Sequence, residues 1–218
     1  MNIKKLFELQ KQLDLRIEKE HPRKPGEDRL AKKILALMVE LGELANEARF
    51  FKYWSHDQAP RTKIEYICPT CNGTGDENYD SYIDDLEGGY THEVINCEDC
   101  GGTGTLGYKN PLLEEYVDCL HFILSIGNDI NMNEVYEDYE PKPLYFGDGD
   151  ILGQFIAIYD WINSLYFHRH EDVNGEMYDL VFAYFLGLGE ILGFTWEEIE
   201  EAYLRKNAVN HQRQNSGY

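Results

Sequence analysis

The sequence predicts an all-α protein that carries one small inserted module. Apolar residues recur every three or four positions through most of the 218 residues, and this spacing places side chains on one face of a helix. The periodicity is lost once, from about 57 to 109, where Gly, Asp, Thr and Asn are frequent and four of the five cysteines occur. We therefore predict a helical bundle formed by residues 1–56 and 110–218, interrupted by a module at 57–109.

Two helices are predicted before the insertion. The first covers about residues 2–20, and the prolines and glycine that follow it are typical of a helix end. Its apolar face contains Ile3, Leu6, Leu9, Leu13 and Ile17. The second covers about 28–51. Its apolar face contains Leu30, Ile34, Leu37, Met38, Leu41, Leu44 and Ala45.

The helical pattern resumes after the insertion. Pro111 suits the first turn of a helix, because proline has no N–H group to leave unpaired there, and the pattern continues to about 131. A loop rich in proline and glycine follows. Three more helices are predicted at about 151–170, 176–192 and 195–210. Thr195 with Glu198 three positions later forms a capping box, which marks the start of the last helix.

The chain is strongly acidic, with 20 Lys and Arg residues against 40 Asp and Glu residues and a formal net charge of −20. Duplex nucleic acid attracts basic surfaces, so we do not expect it as a partner. An acidic protein that handles phosphates needs metal ions. No stretch approaches the roughly 20 apolar residues of a membrane span, and no apolar run follows the N-terminal lysines as in a signal peptide. We therefore expect a soluble, cytoplasmic protein.

Acidic residues occur in pairs on two of the predicted helices. Glu40 and Glu43 lie on the second helix, and at about 100° per residue they share one side of it with Glu47. Glu115 and Asp118 lie on the third helix, on a face that also carries Leu112, Cys119, Phe122 and Ile126. The three glutamates of the second helix can therefore converge on one point.

Acids on an apolar face need a compensating cation, because buried like charges are costly unless they are paired or bind a metal. No Lys or Arg lies within a helical turn of Glu115 or Asp118. Mg²⁺ prefers hard oxygen ligands and retains positions for water and phosphate. The carboxylates therefore predict a Mg²⁺ site, and the alternative is that they are exposed acids on an acid-rich surface.

The C-terminal segment has the opposite charge. Residues 202–218 contain no Asp or Glu, and their cations are interleaved with amides. These residues are Arg205, Lys206, Asn207, Asn210, Gln212, Arg213, Gln214 and Asn215. Lys and Arg bind phosphate, and amides read the edges of bases. The segment thus suits a nucleotide, and the alternative is a polar, frayed terminus.

The insertion contains one short unit twice. Cys68-Pro-Thr-Cys71-Asn-Gly-Thr-Gly75 and Cys97-Glu-Asp-Cys100-Gly-Gly-Thr-Gly104 share the pattern Cys-x-x-Cys-x-Gly-x-Gly. Two thiolates at this spacing bind one Zn²⁺, and the glycines permit a turn that directs N–H groups at the sulfurs. Two such units predict one Cys₄ zinc site, with disulfides as the alternative. The fifth cysteine, Cys119, is interpreted as a packed core thiol.

Several of these residues occur in an ordered set that covers most of the chain outside the insertion. The set consists of Leu9-Gln10 with Leu13-Asp14, Glu40-Leu-Gly-Glu43-Leu-Ala-Asn-Glu47, Phe51-Lys-Tyr-Trp54-Ser, Glu115-Tyr-Val-Asp118-Cys-Leu-His121-Phe122, and the segment from Tyr203 to Tyr218. In this set the chain resembles the all-α dimeric dUTP diphosphatases, which are related to the MazG-type nucleotide pyrophosphohydrolases.

The resemblance implies Mg²⁺-dependent hydrolysis of dUTP, and of dUDP as a further substrate, to dUMP by a homodimer. It implies Mg²⁺ ligands at Glu40, Glu43, Glu115 and Asp118, with Glu43 of the catalytic pair Glu40 and Glu43 orienting or deprotonating the attacking water. By the same resemblance Lys206 and Arg213 neutralise phosphate, Gln10, Trp54 and Asn210 face the deoxyuridine, and Asp14 approaches the sugar.

Two of these residues have other interpretations. Trp54 neighbours Phe50, Phe51 and Tyr53, and such a cluster also suits a core or a dimer interface. His121 is interpreted as a packed histidine rather than a ligand.

The repeated cysteine units also resemble the cysteine-rich repeats of DnaJ-type chaperones, which raises the possibility of a protein partner. Residues 57–109 hold eleven acidic residues against three basic ones, which argues against contact with nucleic acid. A segment this poor in apolar residues cannot form its own core, so a structural zinc is expected. The alternatives for the whole chain are a MazG-like hydrolase of another nucleoside triphosphate and a non-enzymatic zinc-ribbon interaction module.

Overall fold

The computed structural model of the chain describes residues 2–79, 93–136 and 140–215 and confirms the all-α prediction. These residues contain seven helices and one two-stranded sheet. The chain divides into two compact units, a helical unit (Met1–Pro60 with Leu112–Tyr218) and an inserted unit (Arg61–Pro111). The predicted insertion, 57–109, differs from the observed unit by a few residues at each end. Residues 80–92 of the insertion and 216–218 of the C-terminal motif lie outside the described residues.

The helices follow the predicted order. They are α1 (Ile3–Glu20), α2 (Arg29–Ala48), α3 (Pro111–Asp129), α4 (Met132–Val135), α5 (Ile151–His168), α6 (Asn174–Ile191) and α7 (Trp196–Arg213). The capping box that starts α7 is confirmed, with the Thr195 side chain accepting from the Glu198 N–H and the Glu198 side chain accepting from the Thr195 N–H. Within the described parts of the chain, no single helix has the length and apolar composition needed to cross a membrane, although α6 and α7 meet that test as a pair bent by 111°.

The helices differ from the sequence prediction at the end of α2 and in the short helix α4. The predicted end of α2 at about 51 is wrong, because Arg49 takes a left-handed conformation with φ of 63° and closes the helix through a hydrogen bond from its N–H to the Ala45 carbonyl. The single turn of α4 was not predicted, since four residues are too few to show a helical period.

The core of the helical unit forms around α3. More residues are buried on α3 than one apolar face requires, among them Leu112, Tyr116, Leu120 and Ile123, so this helix is surrounded by others. The buried hydroxyls are satisfied across helices, since Tyr178 donates to the Ile123 carbonyl at 2.9 Å. This packing fixes the rotation of α3 about its axis and therefore the direction of its acidic side chains.

The inserted unit contains a short antiparallel hairpin, with β1 at Ile64–Ile67 and β2 at Thr105–Lys109. Ile64 pairs with Lys109 and Ile67 with Thr105, and a register shift lies between Glu65 and Ile67. The hairpin joins the two ends of the segment that carries the cysteine units. It was not predicted, because strands of four and five residues are too short to show a clear period, although β2 alternates between half-buried and exposed residues.

Candidate active site and cysteine cluster

Helices α2 and α3 bring three of the four predicted Mg²⁺ ligands together. Carboxylate oxygens of Glu40, Glu43 and Glu115 lie within 4.8 Å of one another. Glu43 is exposed, whereas Glu40 and Glu115 are half-buried. Three negative charges at this separation repel each other strongly where water is partly excluded. The carboxylate cluster is therefore suited to a cation.

The repulsion appears in the pKa values of the cluster. Burial, followed by the charges of Asp118, Glu43 and Glu40, raises the pKa of Glu115 to about 7. Burial and the charges of Asp118 and Glu43 also raise the pKa of Glu40. Without a metal these groups retain protons more readily than an ordinary glutamate does. A divalent cation with oxygen ligands would remove that penalty.

The fourth predicted ligand, Asp118, is paired with a lysine from α7. Lys206 Nζ donates to Asp118 Oδ2, and both side chains are largely covered. Burial nevertheless raises the pKa of Asp118 against the opposing effects of Lys206 and Arg213. The compensating cation is thus present, but it comes from a helix far away in the sequence.

A cavity of about 590 Å³ extends from the carboxylates between α1, α3 and α7. Glu40 and Asp118 are among the residues that line it. Of the six residues predicted to bind substrate, all except Trp54 line it as well. They are Gln10, Asp14, Lys206, Asn210 and Arg213. The helical unit therefore places the predicted phosphate-binding and base-binding side chains around one space.

Trp54 lies elsewhere. Its side chain is 66% exposed, and its ring contacts the edges of Phe51 and Tyr53 with centroids 5.8 and 5.1 Å apart. Arg49 holds this segment in place, since its Nε and Nη2 donate to the Asp57 carbonyl at 3.0 and 2.8 Å. The structure provides no contact between Trp54 and the cavity, and its role stays a prediction.

A network of hydrogen bonds lines the cavity between α1, α3 and α7. It was not predicted from the sequence. Gln10 hydrogen-bonds to Asp14, His121 and Tyr203 at 2.8, 2.7 and 3.0 Å. Asp14 also accepts from the Ser125 hydroxyl at 2.8 Å. A signal existed in the sequence, because Asp118, His121 and Ser125 are three and four positions apart and share one face of α3.

His121 is buried, as its interpretation as a packed histidine requires. Its ring stacks on Tyr203 with centroids 4.2 Å apart. Burial, followed by the charge of Lys206, lowers the pKa of His121 to about 3. The imidazole is therefore neutral at physiological pH.

The inserted unit brings its four cysteines together as the sequence predicts. Their sulfurs lie within 4.8 Å of one another, with Cys68 to Cys97 at 3.8 Å and Cys71 to Cys100 at 3.7 Å. A disulfide requires about 2.05 Å. A tetrahedral zinc site with Zn–S bonds of about 2.3 Å separates its sulfurs by about 3.8 Å. The cluster therefore fits a tetrahedral metal and does not fit disulfides.

The two cysteine units have the same local geometry. The N–H of Gly75 donates to Cys71 Sγ at 3.2 Å, and the N–H of Gly104 donates to Cys100 Sγ at 3.2 Å. Both glycines have φ near 77°. A Cβ on Gly104 would lie 2.2 Å from the Gly73 carbonyl oxygen. Only glycine fits at this position, because both its φ and the close approach exclude a side chain.

The chain matches a known protein family. A family model described as dUTPase matches residues 2–67 and 105–218. The match covers most of the chain and omits 68–104, the segment that begins with Cys68, ends with Gly104 and contains both cysteine units. No curated protein matches the chain significantly.

Proposed function

The chain belongs to the dUTPase family and is an enzyme that hydrolyses dUTP, and we propose that it uses Mg²⁺ held by the carboxylates of α2 and α3. The observation that carries this proposal is the approach of Glu40, Glu43 and Glu115 to within 4.8 Å. Asp118, which lines the same cavity as Glu40, completes the proposed set. Carboxylate oxygens alone, without histidine or thiolate, favour Mg²⁺ over softer metals.

The proposed reaction is attack of water on phosphorus, which breaks a P–O bond and releases dUMP and pyrophosphate. Mg²⁺ at this site would polarise phosphate oxygens and lower the pKa of water. Among the three clustered glutamates Glu43 is the exposed one, so we assign it to orienting or deprotonating the attacking water. Glu40, which is half-buried beside it, is assigned to holding the metal and supporting this step. The same chemistry would convert dUDP to dUMP and phosphate.

The cavity supports specific roles for its other side chains. Lys206 forms an ion pair with Asp118, so its ammonium group lies beside the carboxylates, where the phosphates would bind. Arg213 lines the same cavity and influences Asp118. We assign both to neutralising the phosphate chain. Gln10 and Asn210 are assigned to the base and Asp14 to the sugar, while Trp54 remains a proposed stacking partner for the base.

We propose that the cysteine cluster of the inserted unit holds a structural Zn²⁺. Sulfur separations of 3.7 and 3.8 Å support this. Among the described residues of this unit, the buried apolar cluster consists of Cys68, Cys71 and Cys97, with Cys100 packed against it. A unit with this little core depends on its metal to fold. A protein partner for the insertion remains a further proposal.

We also propose that the enzyme is a homodimer. The support in the structure is a set of exposed apolar side chains on α2 and α5. They include Leu35 (62% exposed), Val39 (52%), Ile156 (60%) and Phe167 (66%). The two helices pack against each other, and apolar side chains that stay exposed on such helices suit an interface.

The direct test is pyrophosphate release from dUTP, dCTP, dTTP and UTP, with and without Mg²⁺. We expect Mg²⁺-dependent turnover of dUTP that is lost in Glu43→Gln. Glu114→Gln is the matched control, because Glu114 is an exposed glutamate on α3 next to Glu115. Turnover that persists after Mg²⁺ is chelated, or in Glu43→Gln, would contradict the proposed mechanism. Preference for another nucleotide would instead change the proposed base specificity.

A further inference from the structure

The side-chain amide of Gln10 is the most constrained polar group in the cavity. Gln10 is 3% exposed. Its Oε1 lies 2.7 Å from His121 Nδ1 and accepts from the Tyr203 hydroxyl at 3.0 Å. Its Nε2 donates to Asp14 Oδ1 at 2.8 Å. Both lone pairs of the carbonyl oxygen are therefore occupied.

The chemistry of the partners determines which way the amide points. An ionised carboxylate accepts hydrogen bonds and does not donate them. Reversing the amide would place its carbonyl oxygen against Asp14, acceptor to acceptor. Burial raises the pKa of Asp14, and this effect is opposed by Lys33 Nζ at 3.9 Å and by the hydrogen bond that Asp14 accepts from the Ser125 hydroxyl at 2.8 Å. Both interactions favour the charged form of the carboxylate.

His121 completes the constraint from α3. Because Gln10 Oε1 only accepts, His121 Nδ1 carries the proton in this contact. The Tyr203 ring stacks on the imidazole at 4.2 Å and directs its hydroxyl at the same oxygen. One hydrogen-bonding group of Gln10 then remains for a ligand, the second N–H of Nε2.

We infer that His121 and Tyr203 are positioning residues that hold the Gln10 amide with its N–H toward the base, and that this orientation makes the enzyme prefer uracil to cytosine. The inference rests on the proposed function, which places the base beside Gln10. Uracil has a carbonyl at position 4, where it can accept from the N–H. Cytosine has an amino group there, so that two donors would face each other with neither satisfied.

A comparison with thymine distinguishes loss of the Gln10 orientation from general damage to the site. It has the same carbonyl at position 4 as uracil, so the orientation of Gln10 does not discriminate between these two bases. Loss of the orientation should therefore change the preference for dUTP over dCTP and leave the preference for dUTP over dTTP unchanged. General damage to the site would lower the turnover of all three nucleotides together.

The experiment compares kcat/KM for dUTP, dCTP and dTTP in Tyr203→Phe, in His121→Phe and in the double variant. Phenylalanine keeps a ring for stacking and removes the hydrogen bond to Gln10. We expect the dUTP to dCTP ratio to fall about tenfold or more in the double variant and less in each single variant. The dUTP to dTTP ratio should stay within about twofold of the wild type.

Tyr178→Phe is the matched control. Tyr178 is a buried tyrosine whose hydroxyl donates to the Ile123 carbonyl at 2.9 Å, on the other side of α3 from the network. It should reduce thermal stability by a similar amount and leave both ratios unchanged. A fall in the dUTP to dCTP ratio in this control would show that the ratio responds to instability, which would overturn the inference.

Two further measurements separate failure of the inference from failure of the proposed function. Gln10→Met removes the N–H itself, and it should lower the dUTP to dCTP ratio at least as much as the double variant. If Gln10→Met lowers the ratio while the double variant does not, the positioning role is wrong and the base contact stands. If Gln10→Met leaves the ratio unchanged, the base contact and the inference both fail. Binding of dUMP and dCMP by calorimetry gives the same comparison in any folded variant that lacks turnover.

Discussion

The cysteine cluster and the carboxylate cluster are both candidate metal sites, but they are constructed in different ways. The cysteines belong to two copies of one eight-residue pattern, and each copy supplies its own N–H donor to sulfur. The carboxylates come from α2 and α3, two helices separated in the sequence by the insertion. Local chain geometry therefore shapes each half of the first site, and packing of the helical core organises the second.

The two clusters also differ in the interactions that their ligand atoms make with the rest of the protein. The sulfurs lie at the separations of a tetrahedral zinc site and receive backbone hydrogen bonds. The glutamates repel one another enough to raise the pKa of Glu115 to about 7. When no metal is bound, repulsion between the ligands of such a site destabilises the fold. The carboxylate cluster therefore suits a metal that also holds a substrate, whereas the cysteine cluster suits a structural metal.

The largest effect should follow from disrupting the cysteine cluster. Cys71→Ser is expected to abolish zinc binding and unfold the inserted unit, because structural zinc contributes about 10–16 kcal/mol to folding in small zinc domains. Zinc content per chain and hydrogen exchange of the β1–β2 amides measure this. Cys119→Ala, which changes the cysteine of the helical core, should keep the zinc. Unchanged amide protection in Cys71→Ser would refute a structural role for the metal.

Breaking the carboxylate cluster should have a large effect on turnover and little on folding. We expect Glu115→Gln to reduce kcat for dUTP by about 100-fold or more, since it removes a ligand on which transition-state stabilisation depends. The metal-free variant should be at least as stable as the wild type, because one repelling charge is gone. Steady-state kinetics and thermal melts with and without Mg²⁺ test both statements. A clear loss of stability without metal would show that Glu115 contributes to folding.

A smaller effect tests the close approach of the two cysteine units. Gly104→Ala and Gly101→Ala both place a side chain at positive φ, but only the Cβ at position 104 meets a neighbour, at 2.2 Å from the Gly73 carbonyl oxygen. Backbone strain should weaken the free energy of zinc binding by about 1 kcal/mol in each variant. The steric clash should weaken it by about 2 kcal/mol more in Gly104→Ala. Competition with a zinc chelator measures the difference. Equal losses would show that the units do not require this contact.

The smallest expected effect is a pH dependence. The folded-state pKa of Glu115 lies above its ordinary value of 4.5, at about 7, so the folded chain binds this proton more tightly than the unfolded chain does. Its contribution to the stability of the metal-free protein is therefore present below pH 4.5 and lost as the pH rises to 7. After solvent screening we expect a change on the order of 1 kcal/mol.

The comparison that isolates this contribution is between the wild type and Glu115→Gln. The difference between their free energies of unfolding, measured by urea titration without metal, should change between pH 5 and pH 8 in favour of the variant. Saturating Mg²⁺ should reverse the trend for the wild type, because the metal binds the ionised carboxylates. A difference that does not vary with pH would contradict the assigned pKa.

Features that depend on neighbouring residues could be predicted from the sequence. The residues of one helical period, of the capping box at Thr195 and Glu198, and of each single cysteine unit lie within a few positions of one another, so local chain geometry places their atoms. The same holds for the pairing of Glu40 with Glu43 on one side of α2. These patterns indicated the fold class and the metal-binding residue types, whereas the substrate-binding residues of the cavity were implied by the family resemblance.

Only the tertiary structure determined which residues of different helices contact one another. It paired Asp118 with Lys206 of α7, joined Gln10 to His121 and Tyr203, and left Trp54 exposed and outside the cavity lining. Each outcome depends on the rotation and separation of helices that are distant in the sequence. That rotation is set by the sum of many buried contacts around α3, each too weak and too remote in the chain to leave a pattern in the sequence. The sequence by itself therefore determined the chemical groups of the site, and core packing determined which of them face one another.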